Sequence, residues 1–220
     1  MIWNLLFNII LPTLILTKLS GESALGTKMA IVVALAFPIA YGMKDFASNG
    51  KINFFSALGI INVSLTGGIS LLELDASYIA IKEATIPTLF GLAVLISVRT
   101  PYPLINTLIF NELVMKVDKI RQSLKERNNT ASFERAMTNA NYIVSGSFFL
   151  SAILNYGLAR YLLTSPPGTE AFNQELGRMT ALSYPVIALP STAVLMLALW
   201  YLFHKIHQLT GLELEDIVNT

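Results

Sequence analysis

Ala181-Leu182-Ser183-Tyr184-Pro185-Val186-Ile187-Ala188-Leu189-Pro190-Ser191-Thr192-Ala193-Val194-Leu195-Met196-Leu197-Ala198-Leu199-Trp200-Tyr201-Leu202-Phe203 contains no charged side chain. The hydrocarbon core of a bilayer is about 30 Å thick, and a helix needs roughly 20 apolar residues to cross it. This stretch is long enough and lacks the polar face that a helix on a soluble domain presents to water. It therefore reads as a transmembrane helix, and the rest of the chain is read around it.

Five further segments qualify or nearly qualify: Ile2 to Leu16, Met29 to Met43, Phe54 to Leu72, Ile79 to Val98 and Tyr142 to Leu163. Composition agrees. Hydrophobic residues make up 54% of the 220 and charged residues 13%, against about 25% charge in a soluble domain. Buried helices of a soluble α-protein would need polar faces that segments 29–43, 79–98 and 181–203 do not have. The expected fold is all-α, a single polytopic transmembrane bundle of about six spans. The first apolar stretch follows Met1-Ile2-Trp3-Asn4, which has no basic residue. It is read as a retained anchor rather than a cleaved signal peptide.

Lys and Arg placement gives the expected orientation. Arg99, Lys116, Lys119, Arg121, Lys125, Arg127 and Arg135 lie between the fourth and fifth segments, with Lys44, Lys51 and Lys205 on the same side. Lys18, Lys28, Lys82, Arg160 and Arg178 lie opposite. Both termini and the long connection are thus expected in the cytoplasm. Within that connection, residues 103–126, apolar positions recur at helical period: Leu104, Ile105, Leu108, Ile109, Leu113, Val117, Ile120 and Leu124. An amphipathic helix lying in the cytoplasmic headgroup layer is expected, the alternative being one packed under the bundle. The segment from Leu209 to Val218 is a short acidic amphipathic tail.

The segments also hint at a repeat. Phe54-Phe55-Ser56-Ala57-Leu58 precedes Asn62, Phe148-Phe149-Leu150-Ser151-Ala152 precedes Asn155, and Phe7 precedes Asn8. The alternate segments each place a cation before a proline: Lys28 and Pro38, Lys82 and Pro87, Arg178 and Pro185. Three parallel helical hairpins account for this, a plan found in transporters built from repeats.

Polar residues at membrane depth are costly and mark function or pairing. Lys28, Lys82 and Arg178, with Glu83 and Glu175 beside two of them, are candidates to hold an anionic headgroup or small acid. Local snorkelling and pairing is the plainer explanation for each. Asn8, Asn62 and Asn155 either line a path or bond across helices. Thr66-Gly67-Gly68 permits close helix approach. Thr164 to Arg178, with Pro166-Pro167-Gly168 fixing a turn, is expected to bring Glu175 and Arg178 onto one face of a short helix.

Several chemistries are excluded. Cysteine is absent, which removes disulfides, thiolate metal sites and a cysteine nucleophile. His204 and His207 lack a third ligand, so no metal or other cofactor is expected. No phosphate loop, nucleophile elbow or metalloprotease motif occurs, and the chain is not read as an enzyme. Nucleic acid is not an expected partner, since topology explains the basic connection.

Several stretches resemble a family of bacterial inner-membrane proteins loosely grouped with intracellular septation protein A. They are Asn53-Phe54-Phe55-Ser56-Ala57-Leu58-Gly59, Leu65-Thr66-Gly67-Gly68, Ile81-Lys82-Glu83-Ala84, Thr164 to Ala181, and Leu212-Glu213-Leu214-Glu215-Asp216. The resemblance implies a Gram-negative inner membrane and a role in envelope maintenance or septation. The functional expectation is an envelope protein that binds or transports a small anionic or lipid-like molecule. Its partners are then membrane lipids and that ligand. The alternative is a non-transporting scaffold for envelope or septation proteins, acting through 104–124 and the tail.

Overall fold

The structure is a computed structural model, and it describes residues 6–49, 54–100 and 103–219. It is 80% helical. A π-helical turn (Leu6–Ile10) leads into α1 (Leu11–Lys18). Next come α2 (Gly26–Asn49), α3 (Phe54–Leu71) and α4 (Ala76–Ser97). Two short helices, α5 (Leu104–Leu108) and α6 (Val117–Glu126), precede α7 (Thr130–Leu162). Helix α8 (Glu170–Ser183) passes through a second π turn (Tyr184–Ala188) into α9 (Leu189–Thr210), and α10 (Leu214–Ile217) follows.

Among the described residues, four helical stretches are long and apolar enough to cross a membrane: Gly26–Lys44, Ala76–Ser97, Thr130–Leu162 and Glu170–Thr210. Their surfaces match that reading. Met29, Val32, Leu89, Ile153, Leu189, Met196 and Leu197 are all exposed. Only 17% of the most apolar stretch of Glu170–Thr210 is buried. In water such a surface invites association, whereas in hydrocarbon it is a lipid-facing wall.

The segment expected at 2–16 is helical from Leu6 to Lys18, and its first residues lie outside the described part. Two expected spans run on further than composition suggested. The span expected at 142–163 begins at Thr130, and that at 181–203 is part of a continuous run from 170 to 210. At 1.5 Å per residue α7 is about 50 Å long, so it extends well beyond a hydrocarbon core. Charges at Glu134 and Arg135 mark where the apolar run stops, and the helix continues past them.

Both π turns end two residues before a proline, Pro12 and Pro190. Proline has no N–H to give the carbonyl four residues back, and its ring crowds that carbonyl. Opening one turn to π geometry relieves the crowding without breaking the helix.

The chain forms two compact units, Met1–Ala84 with Leu154–Ile187, and Thr85–Ile153 with Ala188–Thr220. In the first, α1 packs against α2 and α8, and α2 also packs against α3. Ile31, Ile79, Phe172 and Leu176 are buried at its centre. Glycine permits the α1–α8 approach. A Cβ on Gly177 would lie 2.8 Å from Thr17 Cγ2 and 3.2 Å from the Thr13 carbonyl. Asn173, fully buried, donates to Ser20 Oγ at 3.2 Å and to the Thr27 carbonyl at 2.8 Å. It ties α8 to the turn between α1 and α2.

In the second unit, Ile105, Ile120, Leu124, Phe133, Met137, Leu202, Ile206 and Ile217 share one core. The single amphipathic helix expected over 104–124 is broken between Leu108 and Val117. Asn111 Oδ1 accepts from the Leu113 N–H at 2.9 Å, a local turn that competes with helix. The Lys116 N–H donates to the Ile217 carbonyl at 2.8 Å, beside an isolated antiparallel bridge between Met115 and Val218. Leu113, counted among the apolar stripe, is 92% exposed, while the other described stripe positions from Ile105 to Leu124 are buried in this core. The apolar face is therefore spent on the protein itself, under the helices, rather than offered to a headgroup layer.

Candidate functional site

The first unit holds a polar cluster between α3 and α4, the latter one of the four helices able to cross a membrane. Asn62 and Thr66 stand one turn apart on α3, a segment without a charged residue. Lys82 lies six residues into α4, about 9 Å along its axis. Its side chain is 8% exposed, and that of its neighbour Glu83 is 20% exposed.

The ammonium is fully engaged. Lys82 Nζ donates to Thr66 Oγ1 at 2.6 Å, Glu83 Oε1 at 2.7 Å and Asn62 Oδ1 at 2.9 Å. The Asn62 carbonyl lies further off, at 3.4 Å. An ammonium has three protons, and three close acceptors use them. Thr66 Oγ1 passes its own proton to the Asn62 carbonyl at 3.0 Å, so it is free to accept from Lys82. Adjacent helix residues do not face each other. The Lys82–Glu83 contact therefore depends on the long lysine stem curling back. The cluster is formally neutral, with one cation and one carboxylate.

The other candidates have other surroundings. Lys28 pairs with Glu73 at 3.1 Å, both exposed, a surface contact of about 0–1 kcal/mol. Arg178 is exposed on α8. Glu175 is taken up by the turn that leaves α7. Its Oε2 accepts from the Thr164 and Ser165 N–H groups, each at 2.9 Å, and its Oε1 from their hydroxyls at 3.1 and 2.6 Å. Asn155 is half-buried on α7. Asn8 stands in the first π turn, and its side chain lies outside the described part. The structure thus brings Lys82, Glu83 and Asn62 together. It gives Lys28, Arg178 and Glu175 separate environments rather than a ring.

Thr66 was legible only as part of a small-residue stretch. Its spacing of four from Asn62, on a charge-free helix, is the pattern that marks it as a ligand. Gly67 beside it allows α2 to close on α3, since a Cβ there would collide with the Leu35 side chain. Among the described residues no group of three metal-ligating side chains occurs.

No family model, curated protein or solved structure matches the chain.

Proposed function

We propose that the chain is an integral inner-membrane protein of the bacterial envelope that binds a small anionic or lipid-like molecule at Lys82. The single observation behind this reading is the buried Lys82–Glu83 pair between α3 and α4. An ionisable residue at membrane depth costs roughly 3 kcal/mol or more and marks a functional site by default. A structural joint alone is served as well by apolar residues. Because all three ammonium protons are engaged, Glu83 is the resident counter-ion, and a ligand's anionic group binds by taking its place. The inner-membrane assignment rests on the sequence resemblance, about six spans on the apolar segments of the sequence, and cytoplasmic termini on the distribution of Lys and Arg. Transport is the extension of this reading, with ligand passing along the Asn62–Thr66 face.

The test is anion binding by purified protein, with inorganic phosphate and acetate as probes. Glu83→Gln removes the competing charge and is expected to tighten phosphate binding about tenfold. Lys82→Met, alone or with Glu83→Gln, is expected to abolish it. Unchanged affinity in all three variants defeats the ligand reading. An envelope role that survives in the double variant then favours the scaffold.

A further inference from the structure

The second unit contains a cavity of about 450 Å³, within the range of small-molecule sites. One wall is a single stripe of α7, running from Thr130 through Phe133, Glu134, Met137 and Thr138 to Asn141. The opposite wall comes from α6 and the segment before it, with Phe110, Arg121 and Lys125. Phe110 and Phe133 meet with ring centroids 5.0 Å apart, and the Arg121 guanidinium lies 5.9 Å from the Phe110 ring centroid.

Polarity is graded across this cavity. Arg121, Lys125 and Glu134 are exposed, leaving a net charge of one positive at the mouth. Asn141 is the buried polar residue of the lining, with no exposed surface. Its Nδ2 donates to the Val94 carbonyl at 2.7 Å, which fixes which end of the amide is oxygen. That oxygen, Oδ1, is buried without a hydrogen-bond partner. A buried acceptor left unpaired costs about 1–3 kcal/mol, which a donor reaching it from the cavity would recover.

We infer that this cavity binds a hydroxyl-bearing phosphoester. The phosphate sits between Arg121 and Lys125, one turn apart on α6. The hydroxyl donates to Asn141 Oδ1, and the aromatic wall covers the carbon skeleton. A lipid headgroup of the glycerophosphate type and a free glycerol phosphate share this chemistry. This site is independent of Lys82, and Lys82→Met is expected to leave it intact.

The experiment is calorimetric titration of the full chain in detergent with glycerol 3-phosphate and with methyl phosphate. Native mass spectrometry from nanodiscs of phosphatidylglycerol or phosphatidic acid accompanies it. Glycerol 3-phosphate is expected to bind at least tenfold tighter than methyl phosphate if the ligand is soluble. Retained phosphatidylglycerol in preference to phosphatidic acid is expected if it is a lipid. Either preference supports the site. Arg121→Gln with Lys125→Gln, both exposed positions, is expected to remove the binding without loss of fold. Asn141→Leu is expected to remove the preference for the hydroxyl. Should that variant not fold, the preference of the native chain decides alone. Binding without hydroxyl preference, or no binding of any probe, overturns the proposal.

Discussion

Lys82 shows how a charge is accommodated on a helix that otherwise meets lipid or apolar side chains. Its energy depends on Glu83, since breaking a buried pair leaves the partner uncompensated. Lys82→Met is expected to cost about 3 kcal/mol of stability against denaturation in detergent. Glu83→Gln should cost less, because the amide still accepts a hydrogen bond. The double variant is expected to recover part of the loss, and a strictly additive double variant rules out the coupling. Much of this was readable beforehand. Lys82, Glu83 and Asn62 are conspicuous in apolar helices, because polar groups there are few. The grouping was not readable. Lys28 and Arg178 share with Lys82 only a distance from a helix end, and distance along a helix says nothing about which way a side chain faces. Glu175 and Arg178 do stand three apart on α8, but spacing could not show that the Glu175 carboxylate reaches the turn after α7 and accepts from Thr164 and Ser165.

Helices in this chain are joined by small, specific devices. Gly177 lets α8 lie against α1, so Gly177→Leu should overpack that contact and cost about 1–3 kcal/mol, measured by thermal unfolding. The tail is held to α6 by the buried Ile217 and by Lys119, whose ammonium donates to Asp216 at 2.6 Å. Ile217→Ala is expected to lose about 2–4 kcal/mol. The hydrogen bond from Lys119 holds the Asp216 carboxyl below its ordinary range, its charge adding to the effect. A depressed carboxyl contributes stability above its unfolded value and loses it as pH falls through the lowered one. The protection factor of the Lys116 amide, bonded to Ile217, taken relative to the intrinsic exchange rate at each pH, should therefore fall at acid pH. A protection factor that stays flat there breaks the proposed link. The break in 104–124 could not be read from periodicity, because apolar spacing continued through it. The Asn111 turn and the pairing with Val218 are local and tertiary competitors, and only the second requires the whole chain.

At the scale of the molecule, the helical membrane character was legible because it depends on composition over long windows. The excess length of α7 was not, because its first turns are amphipathic and resemble a soluble helix. Sidedness can be measured directly in a chain without cysteine. Leu113→Cys, at an exposed position, is expected to react with an impermeant maleimide only in inverted vesicles. Ser23→Cys, between α1 and α2, should react only from the opposite side. Labelling of both from one side sinks the proposed orientation.

The interleaving of the two units has a consequence for synthesis. Residues 1–84 leave the ribosome first, but their unit also needs residues 154–187. The second unit takes up the chain between, yet it draws the Met115–Val218 bridge from near the other end. Neither unit can close when its first helices are made. Early helices must wait for partners not yet translated, the turn after α1 among them, since Asn173 bonds Ser20 and the Thr27 carbonyl. Contacts so distant in sequence slow folding, and a translation pause or an early stop before residue 214 leaves both α6 and its core without a lid.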